Sequence, residues 1–208
     1  MIPRDTLTRD GGRTVAAGLL TLALVAAVGA VATASSATAP TSTDSVQVGQ
    51  SATALDSCRT ITESGTYVLT ADIENAGNTA ISEACIEIRA DDVTFDGDGY
   101  AIGGRGESHT RAVSVVGATN VTVRNVHVHD WHEGVVVENG SASVVEVTSS
   151  ANAYGIRFQN ATDSSASGNT VEDNLVGIQA TGEGSISVSD NDLSGNEISV
   201  RGVENESV

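Results

Sequence analysis

Residues 112–133 read AVSVVGATNVTVRNVHVHDWHE, and the following residues repeat the pattern of that stretch rather than its letters. Val113, Val135, Ile156, Ile178 and Ile198 recur at steps of 22, 21, 22 and 20, and Val115, Val137, Phe158, Ala180 and Val200 keep the same steps two positions on. Two positions further come Gly117, Asn139, Asn160, Gly182 and Gly202. Each unit therefore reads apolar, any, apolar, any, Gly or Asn. Alternation puts both apolar side chains on one face of a strand, and Gly or Asn supplies the left-handed backbone that a sharp corner needs. A second, polar ladder runs through Asp130, Asn152, Asn174 and Asn196 at a constant step of 22. A period near 22 is too short for a two-helix repeat and suits one coil of a parallel β-helix.

Within 112–133 the residues Val121, Val123, Val126 and Val128 give two further short strands, with Arg124-Asn125 as the corner between them. Coils over 134–154, 155–176 and 177–196 follow, and segments such as SSASGNT (164–170) and SISVSDND (185–192) give them a thinner core. Upstream, Ile86 and Ile88 take the places of Val113 and Val115, but at a step of 27. The extra length falls in Gly103–Arg111, a polar, glycine-rich insertion that contains His109 and is expected to loop out. Val93, Phe95 and Ile102 continue the inward face, so the first full coil is expected to begin near Ile81. Before it, CRTITESGTYVLTADI (58–73) alternates at Tyr67 and Leu69 after the turn signal Ser64-Gly65, which predicts a capping strand that shields the first edge. The expected architecture is all-β: a single-stranded parallel β-helix of about five coils of ~22 residues over 81–208, with an N-terminal cap over 57–80.

Residues 1–14 carry Arg4, Arg9 and Arg13, and Val15–Ala34 is almost wholly Ala, Val, Leu and Gly, which predicts an export signal over 1–34 ending in an A-x-A site at Ala32 and Ala34. If retained, the same segment is an N-terminal anchor, since about 20 apolar residues just span a bilayer. Either way the remainder is expected outside the cell, secreted or attached to its surface. Residues 35–56, small and hydroxylated, are expected to form a disordered linker. Asp and Glu outnumber the cations by 27 to 10, every cation is Arg, and removal of 1–34 moves the formal charge from −17 to −18. Such acidity repels nucleic acid and anionic membranes, which excludes them as partners. A lysine-free acidic surface is similar to that of proteins from halophilic archaea.

DDVTFDGDGYAIGG (91–104), NVTVRNVHV (120–128) and the recurring Asn-x-x-Gly-Ile of NAYGIRF (152–158) and NLVGIQA (174–180) resemble the right-handed parallel β-helix repeats of pectin-lyase-like proteins. More narrowly, they resemble the NosD-type and carbohydrate-binding and sugar-hydrolase (CASH) repeats of secreted haloarchaeal proteins. The resemblance covers roughly 57–200 and implies the fold; that fold carries lyases, hydrolases, copper-delivery accessories and plain surface proteins.

Candidate sites are few. Cys58 and Cys85, the two cysteines of an exported chain, are expected to form a disulfide tying the cap to the first coil. HVHDWHE (127–133) concentrates His127, His129 and His132. With Val126 and Val128 inward, His127 and His129 point outward together and are candidates for Cu or Zn, with Asp130 or His132 completing the set. The alternative is a solvated strand face, because the residues 22 further on are Ser149 and Ala151. Asp91, Asp92, Asp96 and Asp98 are candidates for Ca²⁺, although the terminal glutamate of a calcium loop is missing. Asn120, Asn139, Asn160 and Asn205 stand in N-glycosylation sequons. For catalysis the resemblance implies a basic residue with Ca²⁺, or clustered aspartates, and here no lysine is present and only Asp91-Asp92 matches a fragment of the hydrolase pattern. The expected function is a non-catalytic module that binds glycan or a surface protein through a strand face; a polysaccharide lyase or hydrolase, whole or truncated, and a NosD-like copper accessory are the alternatives.

Overall fold

The computed structural model describes residues 51–74, 79–203 and the backbone of 205–207. The expected export signal over 1–34 and most of the expected linker lie outside the described residues. In chain order the strands are β1 (Thr53–Leu55), β2 (Arg59–Ile61), β3 (Gly65–Leu69), β4 (Ala84–Ile88), β5 (Val93–Asp96) and β6 (Ala101–Gly103). They continue as β7 (Arg111–Val116), β8 (Val121–Arg124), β9 (His127–His129), β10 (Glu133–Glu138), β11 (Ala142–Val145) and β12 (Thr148–Ser150). Last come β13 (Tyr154–Gln159), β14 (Ser164–Ser167), β15 (Thr170–Glu172), β16 (Val176–Thr181), β17 (Ile186–Ser189), β18 (Ile198–Arg201) and β19 (Asn205–Ser207). They stack into three sheets: eight strands in the order β1-β3-β5-β8-β11-β14-β17-β19, seven in the order β2-β4-β7-β10-β13-β16-β18, and four in the order β6-β9-β12-β15. Every strand pairing is parallel. Each of the four coils from β4 to β15 thus lays one strand in each sheet and returns one strand spacing further along a common axis, which makes the described residues a parallel β-helix.

The core is a set of columns running along that axis. Ile86, Val113, Val135, Ile156 and Ile178 are successive register partners, as are Ile88, Val115, Val137, Phe158 and Ala180. Except for the partly exposed Ala180, all of these are fully buried. Full burial of each Val or Ile stabilises by roughly 1.5–3 kcal/mol. The corner residues Gly117, Asn139, Asn160, Gly182 and Gly202 all have the expected positive φ, at 63°, 53°, 48°, 96° and 75°.

The structure corrects the reading at four places. The last step of the apolar ladder is 22 rather than 20, because Val200 pairs with Ile178 and Ile198 pairs with Val176. Ile198 therefore stands on the outer face, 42% exposed. The polar ladder holds Asn152, Asn174 and Asn196, each Oδ1 accepting from the backbone N–H one coil earlier, but its first rung is the Trp131 N–H, at 2.8 Å from Asn152 Oδ1, and not Asp130. That coil is one residue short, so a constant step of 22 points one position too early. The linker ends sooner than residue 56, since Thr53–Leu55 pairs with β3. Finally, the cap region is itself coiled: β2 and β3 join the seven- and eight-stranded sheets, and Ile73 bridges Ile102. Its spacing to the next coil, 27 from Arg59 to Ile86, hid it from a 22-residue template.

Candidate functional site

The outer face of the seven-stranded sheet is set at the start of each strand. Ala112, Gly134, Gly155 and Gly177 take the second position of β7, β10, β13 and β16, and at Gly134 a Cβ would stand 2.6 Å from Ser149 Oγ and from the Gly155 carbonyl of the next coil. That position points inward, which is why the Asn-x-x-Gly-Ile repeat requires glycine there. The residue before it consequently turns outward, giving the column Ala84, Arg111, Glu133, Tyr154, Val176 and Ile198. Alternation gives a second outward column of Glu87, Ser114, Val136, Arg157, Gln179 and Arg201.

At the centre of this face Glu133, with its side chain 4% exposed, accepts from Arg111 Nε at 2.8 Å and pairs with Arg157 on its other oxygen. Arg111 also lies 3.8 Å from Glu138. The Arg157 guanidinium sits over the Tyr154 ring at 4.6 Å, and His132 meets that ring edge-on at 5.7 Å. Val136 and Val176 are buried yet stand outside the core cluster, so a small apolar patch is set among these charges on the outer side. Three buried polar atoms here have no hydrogen-bond partner: Ser114 Oγ, Gln179 Oε1 and His132 Nδ1. A buried polar atom without a partner costs about 1–3 kcal/mol, so this face gives up stability that the plain stack does not require. Burial lowers the pKa of His132, the nearby His109, Arg157 and Arg111 lower it further, and Glu133 opposes them. His132 is thereby kept neutral near neutral pH, with a ring nitrogen free to accept.

The predicted histidine set divides in two. His127 and His129 lie side by side on β9 with ring centroids 5.1 Å apart. His132 lies beyond the corner and faces His109 at 5.2 Å instead. The register neighbours one coil on from His127 and His129 are Thr148 and Ser150, not Ser149 and Ala151, since this coil too steps by 21. Among the described residues no group of three or more His, Cys, Asp or Glu side chains already converges as a metal site. Burial and the neighbouring His129 lower the pKa of His127, against the opposing charges of Glu172 and Asp72.

Three of the four aspartates considered for Ca²⁺, Asp91, Asp92 and Asp96, are engaged in bonds between coils and within turns. Asp91 accepts from the Thr119 backbone N–H at 2.7 Å and its hydroxyl at 3.0 Å, and Asp92 accepts from Asn120 Nδ2 at 2.6 Å. Asp96 accepts from the Asp98 N–H at 2.9 Å and from Arg124 Nε at 2.9 Å. Cys58 and Cys85 are joined as a disulfide. Of the sequon asparagines, Asn120, Asn139 and Asn160 are exposed, and the Asn205 side chain lies outside the described residues. A cavity of about 400 Å³ opens beyond β16 among Ala161, Gly182, Glu183, Gly184, Ile186 and Gly202, but no set of polar side chains converges on it.

Sequence reasoning missed two features. One is the Arg111–Glu133–Arg157 clamp, signalled only by opposite charges 22 and 24 residues apart. The other is a second asparagine ladder, in which Asn191 Oδ1 accepts from the Asn169 N–H at 3.0 Å and Asn169 Oδ1 from the Val147 N–H at 2.9 Å. No curated protein and no solved structure matches the chain. Residues 111–207 match the family model described as a right handed beta helix region, and with the all-parallel sheets this makes the fold a right-handed parallel β-helix.

Proposed function

We propose that the chain is an exported β-helix module that binds a glycan through the outer face of its seven-stranded sheet, without chemically altering it. The observation that carries this reading is the clustering of an aromatic ring, a buried ion-paired clamp and three unpartnered polar atoms on one face around Tyr154. Sugars present C–H faces and hydroxyls together, and a ring beside fixed donors and acceptors answers both. Export is supported by the apolar leader and by the disulfide, and the lysine-free acidity suits a surface working in strong salt. The resemblance to CASH and NosD-type repeats favours a glycan over a protein as the ligand. Against a lyase or hydrolase stand Asp91 and Asp92, whose carboxylates are held in bonds to the next coil.

The test is a titration of the mature domain in molar salt with acidic and neutral polysaccharides, read by calorimetry. Tyr154→Ala and Gln179→Ala are expected to weaken binding, while Thr94→Ala on the eight-stranded sheet leaves it unchanged. New reducing ends or unsaturated products, lost on substitution of Asp91 and Asp92, would establish the enzyme instead. Capture of a surface protein but no polysaccharide by the same face would replace the glycan.

A further inference from the structure

We infer that His129 and His127, with Glu74, form a binding site for a divalent transition-metal ion on the outer face of the four-stranded sheet. Val128 is buried in the core, so its neighbours on β9 both project outward, two residues apart on one strand. Their register partners on β6 are Ala101 for His127 and Gly103 for His129, two of the smallest side chains in the sequence. Beyond β6, Ile73 pairs with Ile102, which sets Asp72 and Glu74 on either side of it. A pair of imidazoles and a pair of carboxylates therefore face each other across a strand that carries almost no side chains.

Gly103 is the floor of that gap. A Cβ built there would lie 3.3 Å from His129 Nε2, 3.3 Å from Glu74 Oε2 and 3.0 Å from His129 Cε1. A nitrogen donor and a carboxylate oxygen thus overhang one spot from opposite sides. Gly103 has no positive φ, so the backbone does not demand glycine; the missing side chain contributes space. His129 is also oriented from behind, with Asp130 Oδ2 2.9 Å from its Nδ1. That contact places the ring proton on Nδ1 and leaves the Nε2 lone pair directed at the gap, the arrangement in which a carboxylate positions a metal-binding histidine. His127 Nε2 is held only by a 3.3 Å contact to Ser150 Oγ, so turning its ring toward His129 gives up little. Glu74 is exposed and free to swing inward. The ion draws these last two groups in, which is how the site forms although three donors do not yet meet at one point. Two imidazoles and one carboxylate, with a position left for water, select zinc, copper or nickel over calcium or magnesium. The site lies on a different sheet from the Tyr154 cluster, so each stands or falls independently of the other.

Zinc chloride titrated into the full chain in molar sodium chloride, with copper(II) resonance spectra on the same protein, tests the site. His127→Ala/His129→Ala is expected to abolish binding, and Glu74→Gln to weaken it by about tenfold. Gly103→Ala, which fills the gap, is expected to weaken it at least as much with melting unchanged; should that variant fail to fold, His129→Gln removes the same donor. Copper(II) should show coupling to two nitrogens in the wild type and to one in His127→Ala. His132→Ala and His109→Ala are expected to bind as wild type. Binding that survives the double variant, that is lost in His132→Ala, or that is indifferent to Gly103→Ala overturns the assignment.

Discussion

The outer faces of the two long sheets are built on the same interior and could hardly differ more. On the eight-stranded sheet one outward register runs Thr66, Thr94, Thr122, Ser143, Ser165 and Ser187, a column of short hydroxyl side chains, beside a second that carries the more exposed Arg124–Asp96 ion pair. The one side-chain bond within the hydroxyl column is a 3.3 Å contact from Ser165 to Ser143. On the seven-stranded sheet the outward positions hold Arg111, Glu133, Tyr154 and Arg157, linked across three coils around a buried carboxylate, with the buried Gln179 one coil further on. The inward columns keep the chain folded whichever face is chosen, so neither outer face is dictated by the fold. A solvated strand needs only short polar groups. A face that withdraws a carboxylate and leaves polar atoms unpaired costs stability.

The largest effect that would sharpen this contrast is expected at Glu133. Glu133→Ala leaves two half-buried guanidinium groups without their partner and should destabilise by about 3–5 kcal/mol in chemical denaturation, whereas Ser143→Ala should fall within about 0.5 kcal/mol of wild type. Equal losses at the two positions would break the comparison. Next comes the shared interior. Asn174 accepts from the Asn152 N–H and donates to the Ser149 and Glu172 carbonyls, so Asn174→Ala should cost about 2–4 kcal/mol by leaving several buried groups unpaired. Salt should act on both faces together. With a formal charge of −17 and no lysine, the melting temperature is expected to climb between dilute and molar salt as screening shortens to about 3 Å, and a flat profile would remove the halophilic reading.

The smallest effect is a pH dependence to which His132 contributes on the Tyr154 face and His127 on the four-stranded sheet. His132 has a lowered pKa, chiefly through burial, so the unfolded chain takes up its proton at higher pH than the native one. Stability is therefore full above the ordinary histidine pKa of about 6.5 and declines as pH falls through it toward the lower native value. His132→Phe should flatten that decline relative to wild type, and an unchanged profile would place the sensitivity elsewhere.

Periodicity carried the interior into view because burial repeats. Ile86, Val113, Val135, Ile156 and Ile178 meet one requirement five times, and the corner at Gly117, Asn139 and Asn160 meets another. It misled where the step changed. Asp130 was one residue from the true rung at Trp131, and Ile198 looked inward because Gly202 resembled a corner two residues early. The outer faces were hardly legible, since they are not bound by the repeating demand of the stack. Nothing in the spacing of Arg111, Glu133 and Arg157 distinguishes a clamp from scattered surface charge until the register is known, and the separation of His132 from His127 likewise follows from a corner that the segment's composition hides.

From β7 onward the near-constant advance of 21 or 22 residues per coil also bears on how quickly the chain can fold. Each strand docks on the one laid down a single coil earlier, as Val113 does with Val135 and Val135 with Ile156. The loop closed at each docking is therefore the same length however much of the helix already exists, and its entropic penalty does not grow with the chain. Once a first pair of coils has nucleated, elongation becomes a sequence of near-identical steps, so refolding kinetics should depend on the slowest single coil rather than on the total number of them.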